Sequence, residues 1–212
     1  MESFQEQFKS YHENLEWHLA AHIRNEAPLL HWMMALKPKR VIEVGAGTGK
    51  GAVIVKRLLP HAVVYATDIN PVVCEGIRKV VEMGSVSVIV EVTSVLHLPY
   101  CNSSFDVCYS TGLMEHFSVE DMIKGVKEQL RISRYVIVEV PTLIWFLENR
   151  SAQGGELQLP KMEWLRLLRD LGYILDFYLV GAPLEEIIIS VLMTLDKTAM
   201  VPLAPDKFIC LQ

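Results

Sequence analysis

The run Val41-Ile42-Glu43-Val44-Gly45-Ala46-Gly47-Thr48-Gly49 constrains this chain more than any other stretch. Four residues of strand character lead into alternating glycines, which lack a Cβ and so let a backbone turn sharply and lie directly against a ligand. A strand that feeds a helix through such a turn opens a βαβ unit, and the residues that follow supply the rest of one.

From residue 40 the expected elements alternate. A strand at 41–44 is followed by a helix at 52–59 ended by Pro60, and a second strand at 62–67 reads as the continuous apolar run of a parallel sheet covered on both faces. A helix at 71–83 has Pro71 in its first turn and Gly84 at its end. Strands follow at 86–92 and 105–109, then a helix capped by Ser118 and running to about residue 130, then a strand at 135–140. Ser151-Ala152-Gln153-Gly154-Gly155 reads as a loop. Residues 161–171 form an amphipathic helix stopped by Gly172, and 173–180 a sixth strand. Residues 183–195 suit either a helix, with Glu185 and Glu186 in its first turn, or a strand through Ile-Ile-Ile-Ser-Val. A short seventh strand is expected at 207–211.

Ahead of the first strand, Phe4, Phe8, Tyr11, Leu15, Leu19, Ala20 and Ile23 recur at helical spacing. Pro28 opens a further helical piece that Pro38 closes. The sheet does not require this segment, so residues 1–38 are read as a helical cap and 39–212 as the core of a single domain. The 212 residues, 51% hydrophobic and 21% charged, can fill one such core.

Composition also excludes some partners. The net charge of −5 repels phosphate backbones, and Lys37, Lys39 and Arg40 are the only close basic cluster before the turn, so nucleic acid is disfavoured. Cys74, Cys101, Cys108 and Cys210 make no Cys-x-x-Cys pair, and Glu2 and Glu6 break any signal-peptide pattern, which points to a reduced, cytoplasmic setting. The apolar run 187–195, broken by Ser190 and Thr194, is too short to span a bilayer. His18 and His22 stand one helical turn apart but have no third ligand at metal spacing, so no metal is expected.

Three nucleotide readings compete for the glycine turn. A phosphate-cradling P-loop needs four residues between its glycines and a hydroxyl after its lysine; here three residues separate Gly45 from Gly49, and Gly51 follows Lys50. The dinucleotide fingerprint needs glycine where Lys50 stands. A third pattern, acid-x-Gly-x-Gly-x-Gly, is complete in Glu43, Gly45, Gly47 and Gly49, and resembles the first motif of the class I S-adenosylmethionine-dependent methyltransferases. Glycines also allow a tight turn with no ligand, so the turn is weighed with its neighbours. Asp68 follows Gly49 by 68 − 49 = 19 residues, where a carboxylate at the end of the second strand can accept hydrogen bonds from ribose hydroxyls. Asn70 suits the helix cap ahead of Pro71.

Two further stretches carry the resemblance. Ser94-Val95-Leu96-His97-Leu98-Pro99-Tyr100 with Ser104-Phe105-Asp106-Val107 is similar to the family's passage into the fourth strand, with Ser94 where the family usually has an Asp that contacts adenine. Ser110-Thr111-Gly112-Leu113-Met114-Glu115-His116-Phe117 is similar to the segment after that strand. The likeness spans about 40 to 140. It implies a Rossmann-like three-layer α/β sandwich whose seven-stranded sheet is mostly parallel with an antiparallel last strand. It also implies S-adenosylmethionine as cofactor, leaving as S-adenosylhomocysteine. Glu43, Gly45, Ala46, Gly47, Gly49, Asp68, Ile69, Ser94, Val95, Ser110 and Thr111 are the cofactor-contacting candidates.

Methyl transfer from a sulfonium needs alignment and exclusion of water more than a fixed catalytic set. A base is required only where the acceptor must lose a proton; His116, Tyr11 and His12 are the candidates. The Asn/Asp-Pro-Pro-Tyr/Phe tetrapeptide of amino-methylating relatives and the Pro-Cys pair of cytosine C5 chemistry are absent. The default acceptor is therefore a small apolar or aromatic molecule, with a protein side chain next. A binding or regulatory protein that keeps the fold without turnover, and a nicotinamide-dependent oxidoreductase, are the alternatives.

Overall fold

The computed structural model describes residues 4–144, 147, 156–180 and 188–199. Its sheet is built from β1 (Arg40–Val44), β2 (Val63–Asp68), β3 (Ile89–Val92), β4 (Phe105–Thr111), β5 (Ser133–Pro141), β6 (Tyr173–Val180) and β7 (Ile188–Thr194). The spatial order is β3-β2-β1-β4-β5-β7-β6. All neighbours from β3 to β5 are parallel, whereas β7 pairs antiparallel with both β5 and β6. Strand order reverses between β1 and β4, and parallel sheets place their ligands in the crevice at such a point.

The helices are α1 (Phe4–Asn25), α2 (Ala27–Leu36), α3 (Lys50–Leu58), α4 (Pro71–Met83), α5 (Val119–Ile132) and α6 (Lys161–Arg169). Alternation along the strands explains the two cores. Val41, Val107, Tyr109 and Ile137 face α1 to α4, while Ile42, Val44, Cys108, Val136 and Val138 face the α5 and α6 side. Two tryptophans tie the layers: Trp32 Nε1 donates to Asp176 Oδ2 at 3.1 Å, joining α2 to β6, and Trp164 Nε1 donates to the Pro141 carbonyl at 3.1 Å, joining α6 to the end of β5.

Local signals set the helix ends. Asn70 Oδ1 accepts from Val72 N at 2.9 Å with Pro71 following, and Ser118 Oγ accepts from Asp121 N at 3.1 Å. Glu120 and Asp121 add negative charge to the first turn of α5, where the helix dipole favours it. α1 is kinked at Asn14, whose non-helical backbone (φ −159°, ψ 66°) interrupts the helix while its side chain accepts from Trp17 N at 3.2 Å, acting as a cap inside it.

Most expected elements are present with ends moved by a few residues. β3 is shorter than the expected 86–92, because pairing with β2 begins at Ile89 opposite Tyr65. The ambiguous stretch 183–195 contains strand β7, which is therefore the seventh strand. The strand expected at 207–211 and the loop at 151–155 lie outside the described residues. Among the described residues no helix is long and apolar enough to cross a membrane.

Candidate functional site

The turn after β1 uses its glycines for different reasons. Gly45, Gly47 and Gly49 all adopt positive φ, at 67°, 51° and 75°, which side chains resist. A Cβ on Gly45 would stand 2.6 Å from the Leu113 methyls, and one on Gly49 would stand 2.8 Å from Ile77 Cγ2. A Cβ on Gly47 would meet nothing nearer than the Gly45 carbonyl at 4.0 Å, so this glycine borders open space. Ala46 N donates to the Thr67 carbonyl at 2.8 Å and fixes the turn against β2.

Asp68 closes the other side of that space. Its Oδ2 accepts from Gly47 N at 3.2 Å and its Oδ1 from Asn70 N at 2.9 Å. Asn70 takes the capping role, as its side-chain chemistry suggests, and Asp68 keeps its carboxylate at the crevice edge. Ile69 beside it is 69% exposed, an isoleucine left to solvent at the rim of the turn. Ser94 lies in a tight turn, its Oγ accepting from Leu96 N at 3.3 Å and its carbonyl from His97 N at 3.0 Å. The Val95 side chain packs in the core against α5, within 3.5 Å of where a Gly125 Cβ would lie. Ser110 is fully buried with no partner for its Oγ among the described residues, and Thr111 pairs in register with Glu139.

Glu43 is buried on the α3 side of β1, where Gly51 permits close approach: a Cβ there would lie 2.6 Å from Glu43 Oε1. Burial, then the Glu26 carboxyl nearby, pushes the Glu43 carboxyl well above its ordinary range, with the Tyr109 hydroxyl and the Ala52 N–H working against the shift. Glu139 is pushed up to about 8, first by burial and then by Glu26, while Ser190 Oγ donates to it and holds the shift back.

The catalytic candidates separate. The Tyr11 side chain lies in the core, 4.7 Å centroid to centroid from His18, with Lys50 Nζ 5.2 Å from its ring. The His12 side chain lies outside the described residues. His116 is half exposed, with Nδ1 3.3 Å from Glu156 Oε1. Its neighbour Glu115 is the more altered group: burial raises its carboxyl to about 7, and Oε2 has no hydrogen-bond partner among the described residues. His18 and His22 do not converge as ligands, since His18 stacks on Tyr11 and Trp17 while His22 Nε2 approaches Glu26 Oε1 at 2.6 Å.

Sequence reasoning gave no functional role to Glu26, Tyr109, Glu115, Glu139 or Ser190. One signal was available: Glu139 is the only charged residue in the run Tyr135-Val136-Ile137-Val138-Glu139-Val140, and a carboxyl inside a buried strand needs a reason. A cavity of about 620 Å³ lined by Asp106, Arg131 and Ser133 lies far from this chemistry, at the amino ends of β4 and β5.

Comparison with known proteins bears on the fold that carries these residues. A family model described as a methyltransferase domain matches residues 41–134. A demethylmenaquinone methyltransferase of Deinococcus radiodurans is 29% identical over 112 residues, covering 51% of this chain and 46% of that protein. This chain therefore aligns with about half the length of that relative. In fold, the PH0226 protein of Pyrococcus horikoshii OT3 superposes with TM-score 0.70 at 16% identity, covering 82% of this chain and 90% of that one. The magnesium protoporphyrin IX methyltransferase of Synechocystis PCC 6803, solved with S-adenosylhomocysteine bound, superposes with TM-score 0.64 at 14% identity, covering 82% and 83%. A methyltransferase domain model thus matches residues 41–134, and the described residues have the fold seen in solved methyltransferases.

Proposed function

We propose that this protein is an S-adenosylmethionine-dependent methyltransferase acting on a small-molecule acceptor, as one domain whose residues 1–38 form the cap. The observation that carries the reading is the open cradle at Gly47, bounded by the Asp68 carboxylate on β2, with the buried Glu43 carboxyl close by Gly51 at the start of α3. The pyrophosphate that a dinucleotide brings to a glycine turn has no use for a carboxyl there, whereas a cofactor carrying an ammonium and a sulfonium does.

The bound cofactor would supply a methyl group already activated on a sulfonium. The chain's own residues do the rest. Gly45, Ala46, Gly47 and Gly49 bring backbone against the ligand. Asp68 exchanges its bond to Gly47 N for ribose hydroxyls, and Ile69 offers an apolar surface beside the base. Ser94 and the backbone of Val95 approach the adenine, with an uncharged hydroxyl in place of a carboxylate. Ser110 and Thr111, at the end of β4, line the path toward the acceptor. Glu115, held beside Gly112 with its carboxyl raised to about 7, can take a proton near neutral pH.

The curated relative's name concerns a quinone precursor, which supports a small acceptor over a protein or nucleic-acid one. Titration calorimetry with S-adenosylhomocysteine and NAD tests the reading. Micromolar binding of the first, none of the second, and loss of about tenfold or more on Asp68→Ala are expected, since a carboxylate accepting from two ribose hydroxyls contributes about 1.5–3 kcal/mol per charged hydrogen bond. Binding of NAD alone, or wild-type affinity in Asp68→Ala, refutes it. A non-catalytic binder would hold the cofactor yet turn over no acceptor in a panel.

A further inference from the structure

Near the cofactor cradle, the carboxyls of Glu26, Glu43 and Glu139 are buried close to one another. Strand register puts them there: Glu43 lies opposite Tyr109, Thr111 opposite Glu139, and Glu139 opposite Ser190, all on the face that α1 and α2 cover. Glu26 enters from above, at the junction of α1 and α2. The three are at most 4% exposed. Each is near enough to Glu26 to feel its charge.

Part of their polar surface has no partner among the described residues. Glu26 Oε2 and Glu43 Oε2 are buried without a hydrogen-bond partner there, while the Tyr109 hydroxyl reaches Glu43. The other titratable groups facing these carboxyls are His22 on α1, whose Nε2 lies 2.6 Å from Glu26 Oε1, Tyr109 on β4, and Asp68 on β2, which acts on Glu43. Among the described residues no lysine or arginine forms an ion pair with any of the three glutamates. Buried carboxyls without a cation are costly, and one imidazole does not offset three of them.

The sign of the missing charge selects among acceptors. The cofactor's own cation lies at the β1 turn, where Glu43 is, and leaves Glu139 two strands away at the end of β5. An acceptor reacting as a phenolate or carboxylate would bring a further negative charge into this lining. An ammonium would instead neutralise it and give Glu139 a second donor beside Ser190.

We infer that Glu139, assisted by Glu26, binds the protonated nitrogen of a small amine acceptor and accepts its proton, an inference that rests on the methyltransferase reading above. On binding, the ammonium displaces the proton of Glu139 to solvent; an N–H bond of the ammonium then breaks, its proton passes to the resulting Glu139 carboxylate oxygen, and the electron pair stays on nitrogen, leaving a neutral amine able to attack a methyl group. Ser190 positions Glu139, its hydroxyl donating to Oε1.

Calorimetry on protein saturated with S-adenosylhomocysteine tests this with 2-phenylethylamine, histamine and spermidine against 2-phenylethanol and hydroquinone. An amine is expected to bind and the neutral compounds are not. Binding should release protons to solvent, read as an enthalpy that differs between phosphate and Tris buffers. Glu139→Gln should weaken amine binding on the order of thirtyfold, the lower limit for removing one member of a buried charge pair, and abolish the proton release while leaving S-adenosylhomocysteine affinity unchanged. Glu26→Gln provides a second variant, with a smaller loss in the same direction. Binding of none of the amines, equal binding of 2-phenylethanol or hydroquinone, or unchanged amine affinity in both variants overturns the inference. A protein that fails to bind S-adenosylhomocysteine at all overturns the methyltransferase reading, and this inference with it.

Discussion

Gly47 and Gly49 share a backbone handedness but not their surroundings, and substitution should tell them apart. Gly49→Ala combines positive φ with a Cβ 2.8 Å from Ile77, so it should lower stability by about 2–3 kcal/mol, at the upper end for a strained residue. Gly47→Ala carries strain of about 1 kcal/mol and meets no neighbour, yet its methyl projects into the cradle. Thermal melts run beside S-adenosylhomocysteine titrations should show Gly49→Ala losing mainly melting temperature and Gly47→Ala mainly affinity. If both variants lose the two in the same proportion, the turn serves packing alone.

These residues were legible from sequence because their meaning is local. The glycine spacing, the acid two residues before it and the acid 19 residues after it lie within one βαβ unit, where chain direction and helix length fix geometry. Glu139 was not legible, because its partners Ser190 and Glu26 come from residues 51 and 113 positions away and depend on which strand lies beside β5. His116 drew attention by residue type, whereas burial, which sequence does not print, makes Glu115 the more altered group.

At the level of elements, caps were the reliable signals and apolar runs the ambiguous ones. Asn70 and Ser118 were placed correctly because a side-chain acceptor before a helix acts within three residues. Asn70→Ala should therefore cost about 1 kcal/mol, measured by denaturant unfolding, with cofactor affinity falling further because α4 begins three residues after Asp68. An Asn70→Ala protein as stable as wild type would show that Pro71 alone starts the helix. The stretch 183–195 could not be assigned from its residues, since Ile-Ile-Ser-Val buried on both faces has no period to read. Its placement between β5 and β6 decides the matter, with Ile189, Val191 and Met193 in one core and Leu192 in the other.

For the molecule as a whole, the buried carboxyls set the response to pH. In the folded chain Glu139 holds its proton up to about 8 and Glu115 up to about 7, and Glu43 is raised as well, whereas in the unfolded chain all three lose it near 4.5. Between those limits the folded state binds more protons than the unfolded one, so stability falls as pH rises from about 4.5 to about 8. Melting temperature should decline by several degrees from pH 5.5 to 8.5, and Glu139→Gln should flatten the upper part of that decline. A melting temperature that rises across this range contradicts the burial argument.

The order of the strands bears on how the protein is made. β5 leaves the ribosome with one edge paired to β4 and the other open, because its second neighbour is the strand that ends at Thr194 rather than the one that follows it in the chain. The glycine turn and Asp68 can take shape on a nascent chain of little more than 100 residues, while Ser190 reaches Glu139 only near the end of synthesis. A chain stalled before residue 188 would thus carry the cofactor cradle, an exposed β5 edge able to pair with other chains, and an unfinished acceptor side.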